Sequence, residues 1–217
     1  MVGRRLKLVC FDLDGTVMLR PNSLQFLLQL NEAPKQILAD IDRREAGNEV
    51  HWMAADYERA PFIAGLPVAA VEANIDGQLL TIKNLDLVLG TLRNSGILTV
   101  LITSGPAEVA QAVARRFAFD HCFGSEFETS GLDDPVYSGR ITRHLGSAGK
   151  LDCLRELCHA TGIALEDCAA VGDGESDVDL FRAVGTSIGI NCTDGLAELA
   201  KHQVRGQDLA AILPFIL

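Results

Sequence analysis

The sequence predicts an α/β fold, namely a doubly wound parallel sheet with a small helical segment inserted after the first strand. Short apolar runs alternate with helical patterns along most of the chain, as expected for a sheet with helices on both faces. One stretch, residues 20–82, has helical patterns without a convincing buried strand. Polar residues follow three of the apolar runs, where the open edge of such a sheet binds ligands.

The predicted strands are apolar runs rich in β-branched residues, and each is short enough to cross a sheet once. They cover residues 6–11, 98–102, 169–171 and 187–190. The predicted helices have apolar positions at helical spacing, and they cover residues 86–93, 107–116, 150–159, 177–184 and 195–201. Residues 125–142 predict an antiparallel hairpin, because two alternating runs flank a turn rich in Gly, Asp and Pro.

The helical stretch divides the predicted chain into two parts. We expect residues 1–19 and 83–217 to form the catalytic core and residues 20–82 to form a helical cap. Ninety-one positions separate Asp12 from Thr103, whereas only 47 separate Thr103 from Lys150, so the larger insertion follows the first strand. A row of surface helices is the alternative interpretation of the same stretch.

Composition excludes some partners. The 217 residues have a formal net charge of −10 and a pI near 4.9, which disfavours nucleic acid and anionic membrane as partners. No apolar stretch approaches the length of a membrane span. The six cysteines lack metal-ligand spacing, so we predict free thiols and a cytoplasmic location. The sequence leaves the oligomeric state open.

Acidic and hydroxyl side chains follow three predicted strands. Asp12 and Asp14 come after the first, Thr103 after the second, and Asp173 after the third. Because these strand ends meet at one edge of a parallel sheet, the carboxylates would repel one another without a hard cation, and Mg²⁺ is the natural candidate. Each motif alone also has a purely structural interpretation. Asp12 and Asp14 could belong to an Asp-Gly turn with solvated acids, and Asp173 and Asp177 could be a helix cap and an acid in the first turn.

Four motifs in this order resemble the haloacid dehalogenase-like superfamily of phosphoryl-transfer enzymes, and the resemblance covers the whole chain. They are Asp12-Leu13-Asp14-Gly15-Thr16, then Thr103 with Ser104 as the second choice, then Lys150, and finally Gly172-Asp173-Gly174-Glu175-Ser176-Asp177. The resemblance implies a Rossmann-like core and an enzyme that binds a small phosphorylated metabolite.

The resemblance also implies a role for each motif residue. Asp12 would attack phosphorus to form an aspartyl-phosphate, and Asp14 would act as general acid and then general base. The Asp12 carboxylate, the Asp14 backbone carbonyl and Asp173 would hold Mg²⁺. The remaining residues would bind the phosphoryl group, offset its charge or support the metal site: Thr103, Ser104, Gly105 and Ser176 as phosphate-binding residues, Lys150 as the cation, and Asp177 behind the metal or as an anchor for Lys150.

The predicted cap is similar to that of phosphoserine phosphatases. Arg59 lies eight residues before Pro67 in a Leu-Pro pair, and Trp52 lies seven residues before Arg59, where those enzymes have a substrate-binding arginine and an aromatic lid residue. Those enzymes also place a substrate-binding acid about nine residues after the nucleophile, where this chain has Pro21 and Asn22. Arg59 therefore either binds the substrate or pairs with a neighbouring acid such as Asp56.

These residues predict a Mg²⁺-dependent phosphatase that hydrolyses a small phosphomonoester, either phosphoserine or a similar metabolite. Asp14 favours ester hydrolysis over carbon–halogen cleavage, because a departing halide needs no proton. Two alternatives remain at this point. One is a phosphotransferase that uses the same aspartyl-phosphate, and the other is a catalytically silent binding protein of the same fold.

Overall fold

A computed structural model describes residues 5–217, and its centre is a seven-stranded sheet with the strand order β6-β5-β4-β1-β7-β8-β9. Strands β2 and β3 form a separate antiparallel pair. The strands are β1 Leu8–Phe11, β2 Met18–Arg20, β3 Leu80–Thr81, β4 Leu98–Pro106, β5 His121–Ser130, β6 Val136–Arg143, β7 Cys168–Gly172, β8 Thr186–Ile190 and β9 His202–Val204. All neighbours in the large sheet are parallel except β5 and β6.

Helices cover both faces of this sheet. They are α1 Ser23–Leu30, α2 Lys35–Ala46, α3 Trp52–Arg59, α4 Ala69–Gln78, α5 Leu85–Asn94, α6 Ala107–Phe117, α7 Ser147–Thr161, α8 Val178–Ala183 and α9 Asp194–Ala197. Short 3-10 helices cover Ala60–Ile63, Leu165–Asp167, Glu175–Asp177 and Leu209–Phe215.

Two apolar layers hold the sheet between the helices. Strand β1 is buried on both faces, because Val9 and Phe11 face one layer while Leu8 and Cys10 face the other. The first layer packs against α5 and α6, and the second packs against α7 and α8. Burial on both faces explains why the strands are continuous apolar runs rather than alternating ones. The strand ends that hold the site are therefore rigidly placed.

The predicted α/β sheet is confirmed, with shifts at the ends of elements. The hairpin lies where expected, as the antiparallel pair β5 and β6. The prediction of a helix over residues 195–201 was too long, because α9 ends at Ala197 and the Lys201 amide donates to the Ser187 hydroxyl, which leads the chain into β9. All six cysteines are free thiols.

Helices α1 to α4 lie between the paired strands β2 and β3, within the stretch for which we predict a cap. Residues 1–4 of the predicted core segment 1–19 lie outside the described residues. Within residues 5–217, no helix has the length and apolar character needed to cross a membrane.

Candidate active site

A cavity of about 730 Å³ lies at the carboxyl ends of β1, β4 and β7. One side of it, here called the strand side, consists of residues that follow β1 and β7 or lie in the last part of β4: Asp12, Asp14, Thr103, Ser104, Gly105 and Asp173, with Lys150 and Asp177 beneath them. The opposite side, here called the helix side, consists of residues from α2 and α3: Asp42, Glu45, Trp52, Asp56 and Arg59.

A buried lysine joins two carboxylates on the strand side. Lys150 is fully buried in α7, and its Nζ donates to Asp12 Oδ1 at 2.6 Å and to Asp177 Oδ1 at 2.8 Å. Burial alone would lower the pKa of Lys150, but the two carboxylates outweigh it and raise the pKa, so the lysine is charged. Burial raises the pKa of Asp12 well above its usual value, and the charge of Lys150 opposes that shift.

Three carboxylates of the strand side are close enough to share one ion. Ligand oxygens of Asp12, Asp173 and Asp177 lie within 4.8 Å of one another. Asp177 already accepts from Lys150 and from the backbone amides of Asp173 and Gly174, so it supports the site rather than facing it. Burial and the charge of Asp177 raise the pKa of Asp173 to about 6, and a divalent cation would favour its ionised form. These oxygen donors fit Mg²⁺.

A glycine allows Asp173 to approach the loop after β1. Gly15 has φ of +80°, and a Cβ atom there would lie 2.1 Å from Asp173 Oδ2. The next residue, Thr16, donates its hydroxyl to Asp173 Oδ1 at 3.4 Å. The Asp-Gly-Thr segment therefore has a steric reason for its glycine and a polar reason for its threonine.

Asp14 is held by the first residue of α1. The Ser23 hydroxyl donates to Asp14 Oδ2 at 2.5 Å, and the Ser23 amide donates to Asp14 Oδ1 at 2.7 Å. Burial raises the pKa of Asp14 to about 6, and the two bonds from Ser23 oppose that shift. A carboxyl group with such a pKa exchanges protons readily near neutral pH. Gly105 packs against this pair, because a Cβ atom there would lie 1.9 Å from Ser23 Oγ.

The two candidate hydroxyls near the carboxyl end of β4 have different partners. Thr103 is buried, and its Oγ1 accepts a hydrogen bond from the Gly105 amide at 2.9 Å. The Ser104 hydroxyl donates to the Leu145 carbonyl oxygen at 2.5 Å. The proton of Ser104 is therefore already used, whereas the Thr103 proton has no acceptor within residues 5–217.

Arg59 is the centre of the helix side. Its side chain is only 10% exposed, and its Nη2 donates to Asp42 Oδ1 at 2.6 Å and to Glu45. Its Nη1 donates to Asp56 Oδ1 at 3.3 Å. Burial would lower the pKa of Arg59, but the hydrogen bonds that it donates to Glu45 and Asp42 raise it. The second oxygen of Asp56 lies 3.0 Å from His144 Nε2, so this network also contacts the loop before α7.

Comparison with known proteins identifies the family. The model of the haloacid dehalogenase-like hydrolases matches residues 9–182. This chain belongs to the haloacid dehalogenase-like hydrolase family. A phosphoserine phosphatase of Halobacterium salinarum is 32% identical over 205 residues, which are 94% of each chain.

Two solved structures share the fold of this family member. One is a phosphoserine phosphatase in the form of a phospho-aspartyl intermediate analogue, with a TM-score of 0.81, 21% identity, and coverage of 98% of this chain and all of the other. The second is a family hydrolase from Salmonella enterica serovar Typhi, with a TM-score of 0.86, 21% identity, and coverage of 99% of this chain and 72% of the other.

In this haloacid dehalogenase-like hydrolase, the cavity brings together most of the residues predicted from sequence. Lys150 and Asp177 do not line it but lie buried beneath Asp12. All the others line it, namely Asp12, Asp14, Trp52, Arg59, Thr103, Ser104, Gly105, Asp173 and Ser176.

Sequence reasoning missed Ser23, Asp42 and Glu45. Ser23 could have been found as the residue after Asn22, which caps α1 and places the first turn beside Asp14. Asp42 and Glu45 share one face of a predicted helix, but nothing in their spacing indicates that this face turns towards Arg59.

Proposed function

We propose that this hydrolase is a Mg²⁺-dependent phosphatase that cleaves a small phosphomonoester through an aspartyl-phosphate on Asp12. The observation that supports this most is the pairing, in one cavity, of an Asp12 held by Lys150 with an Asp14 held by Ser23. Asp12 and Asp14 are both carboxyl groups, but one contacts a lysine and the other a serine. Such different surroundings allow one to act as nucleophile and the other as proton donor.

In the first step, an Asp12 carboxylate oxygen attacks phosphorus and the bond from phosphorus to the ester oxygen breaks. Asp14 gives its proton to the departing oxygen, so the alcohol leaves neutral. In the second step, Asp14 takes a proton from water, the water oxygen attacks phosphorus, and the acyl-phosphate bond breaks. Inorganic phosphate leaves, and both carboxyl groups return to their starting states.

Groups on the strand side neutralise the negative charge of the phosphoryl group and of Asp12. Lys150 opposes the rise in the pKa of buried Asp12, which favours its ionised form, and supplies positive charge near the phosphoryl oxygens. Mg²⁺ held by the carboxylates of Asp12 and Asp173 and the backbone carbonyl of Asp14 would neutralise charge between nucleophile and phosphate. Asp177, which accepts from Lys150 and from two amides, keeps the lysine and the Asp173 loop in place.

The phosphoryl oxygens would be bound by Thr103 and by backbone amides near Ser104, Gly105 and Ser176. Thr103 is the better hydroxyl donor of the two candidates, because the proton of Ser104 is already donated to Leu145. Residues 20–82 would act as the cap, since α2 and α3 supply the helix side of the cavity. A cap excludes water and contacts the leaving group. A cytoplasmic location agrees with six free thiols.

Phosphate release from a panel of small phosphomonoesters, measured with Mg²⁺ and again with EDTA, tests this function. We expect release that requires Mg²⁺, and a burst of alcohol product before steady state if the phospho-enzyme accumulates. Absence of release from every ester, in protein shown to be folded and to bind Mg²⁺, would contradict the proposal. Phosphoryl transfer that appears only when an acceptor alcohol is added would identify a phosphotransferase instead.

A further inference from the structure

The lining of the cavity is strongly acidic. Among the described residues it contains seven carboxylates and a single guanidinium, that of Arg59. The carboxylates are Asp12, Asp14, Asp42, Glu45, Asp56, Asp173 and Glu175. The proposed chemistry uses Asp12, Asp14 and Asp173, which leaves four carboxylates of the lining against one cation. Such a field favours a positively charged ligand and disfavours an anionic one.

Arg59 does not restore the balance, because its charge is already shared. Its two terminal nitrogens donate to Asp42, Glu45 and Asp56, so three negative charges surround one positive charge. A carboxylate on the substrate would have to displace one of these partners to reach the guanidinium. Displacing it would also bring a further negative charge into the acidic side of the cavity.

Asp42 and Glu45 have acceptor capacity left for a ligand. Each uses one oxygen for Arg59, while Asp42 Oδ2 and Glu45 Oε1 accept no hydrogen bond from any of residues 5–217. The side chains are 49% and 33% exposed, respectively, and both residues line the cavity. Arg59 orients both carboxylates from behind, which lowers the entropy that a ligand must remove on binding.

Trp52 adds a second kind of interaction on the same side. Trp52 is among the residues that line the cavity. An aromatic face beside carboxylates is a surface on which ammonium groups bind well. The loop before α1, with Pro21 and Asn22, supplies no acid, so the charge for such a group comes from α2 instead.

We propose that the substrate is the phosphate monoester of an amino alcohol, with an ammonium group that Asp42 and Glu45 bind and without a carboxylate for Arg59. Arg59 is then a positioning residue for these two acids. This inference rests on the proposed phosphatase function, because it concerns the leaving group of that reaction.

A matched set of esters tests the inference on the unmodified protein. Phosphoethanolamine presents an ammonium group, propyl phosphate replaces that group with methyl, phosphoserine adds a carboxylate to phosphoethanolamine, and phosphoglycolate has a carboxylate alone. We expect kcat/KM for phosphoethanolamine to exceed that for propyl phosphate by about 10- to 100-fold, as for hydrogen bonds to a charged group. Phosphoserine should fall below phosphoethanolamine, and phosphoglycolate should be the poorest.

The possible results distinguish an error in the substrate class from an error in the phosphatase function. Phosphoserine at or above phosphoethanolamine would mean that Arg59 binds a carboxylate, and equal rates for phosphoethanolamine and propyl phosphate would mean that no cation is recognised. Either result overturns the inference and leaves the phosphatase function intact. Failure to hydrolyse any of the four esters, or any ester of the wider panel, contradicts the function itself.

Variants of α2 test whether Asp42 and Glu45 bind the ammonium group. Asp42→Asn and Glu45→Gln should each lower the ratio of kcat/KM for phosphoethanolamine to that for propyl phosphate by about tenfold. Asp40→Asn is the matched control, because Asp40 lies on the same helix, pairs with Arg43 and Arg44, and does not line the cavity. Its ratio should not change. A ratio measured within one variant cancels any loss of folded protein, and unchanged ratios in both cavity variants would overturn the assignment.

Discussion

The two sides of the active-site cavity differ in how their charged groups are held. On the strand side, Lys150 is fully buried and contacts carboxylates that are themselves buried. On the helix side, Arg59 is nearly buried, but its partners Asp42 and Glu45 remain partly exposed. The strand side therefore has a fixed arrangement suited to one reaction, whereas the helix side keeps acceptors open to a ligand.

This difference separates chemistry from specificity within one cavity. Side chains at the ends of buried parallel strands have little freedom, and phosphoryl transfer requires that they stay in place. Side chains on α2 and α3 can vary without disturbing the sheet, because those helices lie between β2 and β3 and outside the large sheet. Substitutions on the strand side should therefore impair the chemical step whichever polar group the alcohol has, and substitutions on the helix side should reorder substrates by that group.

Asp12→Asn should have the largest effect on turnover. The amide oxygen is a poor nucleophile and cannot form the aspartyl-phosphate, so kcat should fall by about ten-thousandfold for every ester. The change is nearly isosteric, so circular dichroism and thermal unfolding should report a folded protein. Phosphate release near the unmodified rate would show that Asp12 is not the nucleophile, and a loss restricted to some esters would contradict the separation of the two sides.

Lys150→Met should have the largest effect on stability. Removing the buried cation leaves Asp12 and Asp177 without compensation, which should lower the free energy of unfolding by about 3–5 kcal/mol. Urea unfolding followed by fluorescence or circular dichroism measures the change. The control is Lys7→Met, because Lys7 also pairs with an aspartate, Asp167, but is 58% exposed. That variant should lose about 1 kcal/mol or less. Similar losses in both variants would contradict the burial argument.

Most residues of the strand side could be predicted from sequence because they belong to short local motifs. Asp12, Asp14 and Gly15 lie within four consecutive residues, so a strand followed by this turn places them without knowledge of the rest of the chain. The helix side depends on contacts between segments, since Arg59 reaches Asp42 and Glu45 across 17 and 14 positions. Only the Asp56 contact, three positions before Arg59 on one helix, follows from spacing.

The strands of the fold also differ in how far local sequence determines them. The buried strands β1, β4, β7 and β8 were predictable, because burial on both faces makes most of β1 and β7, and the middle of β4 and β8, apolar. Strand β9 was not predicted, since it is three residues long and contains His202 and Gln203. The Ser23 contact with Asp14 depends on where β2 and the cap of α1 direct the chain, and that direction is a property of the folded loop.

Ser23→Ala should have an intermediate effect that depends on the leaving group. The loss of the hydroxyl removes one of two bonds that orient Asp14, so kcat/KM for an alkyl phosphate should fall about tenfold. The rate for p-nitrophenyl phosphate should change less, because nitrophenolate leaves without protonation. Ser138→Ala, which removes a hydroxyl that donates to Glu128 outside the cavity, should affect neither ester. Equal losses for both esters would argue against a role of Ser23 in proton transfer.

Arg59→Lys should have a small effect on stability, and it tests whether the helix side is organised by its arginine. Lysine keeps the charge but lacks the planar fork that reaches Asp42, Glu45 and Asp56 together, so the free energy of unfolding should fall by about 1 kcal/mol. Arg43→Lys is the control, because Arg43 also pairs with two acids but is 60% exposed, and its stability should be unchanged. If Arg59 positions acids rather than binding a substrate carboxylate, Arg59→Lys should also lower the preference for phosphoethanolamine over propyl phosphate. A variant that instead loses rate only with phosphoserine would show that the arginine binds the substrate directly.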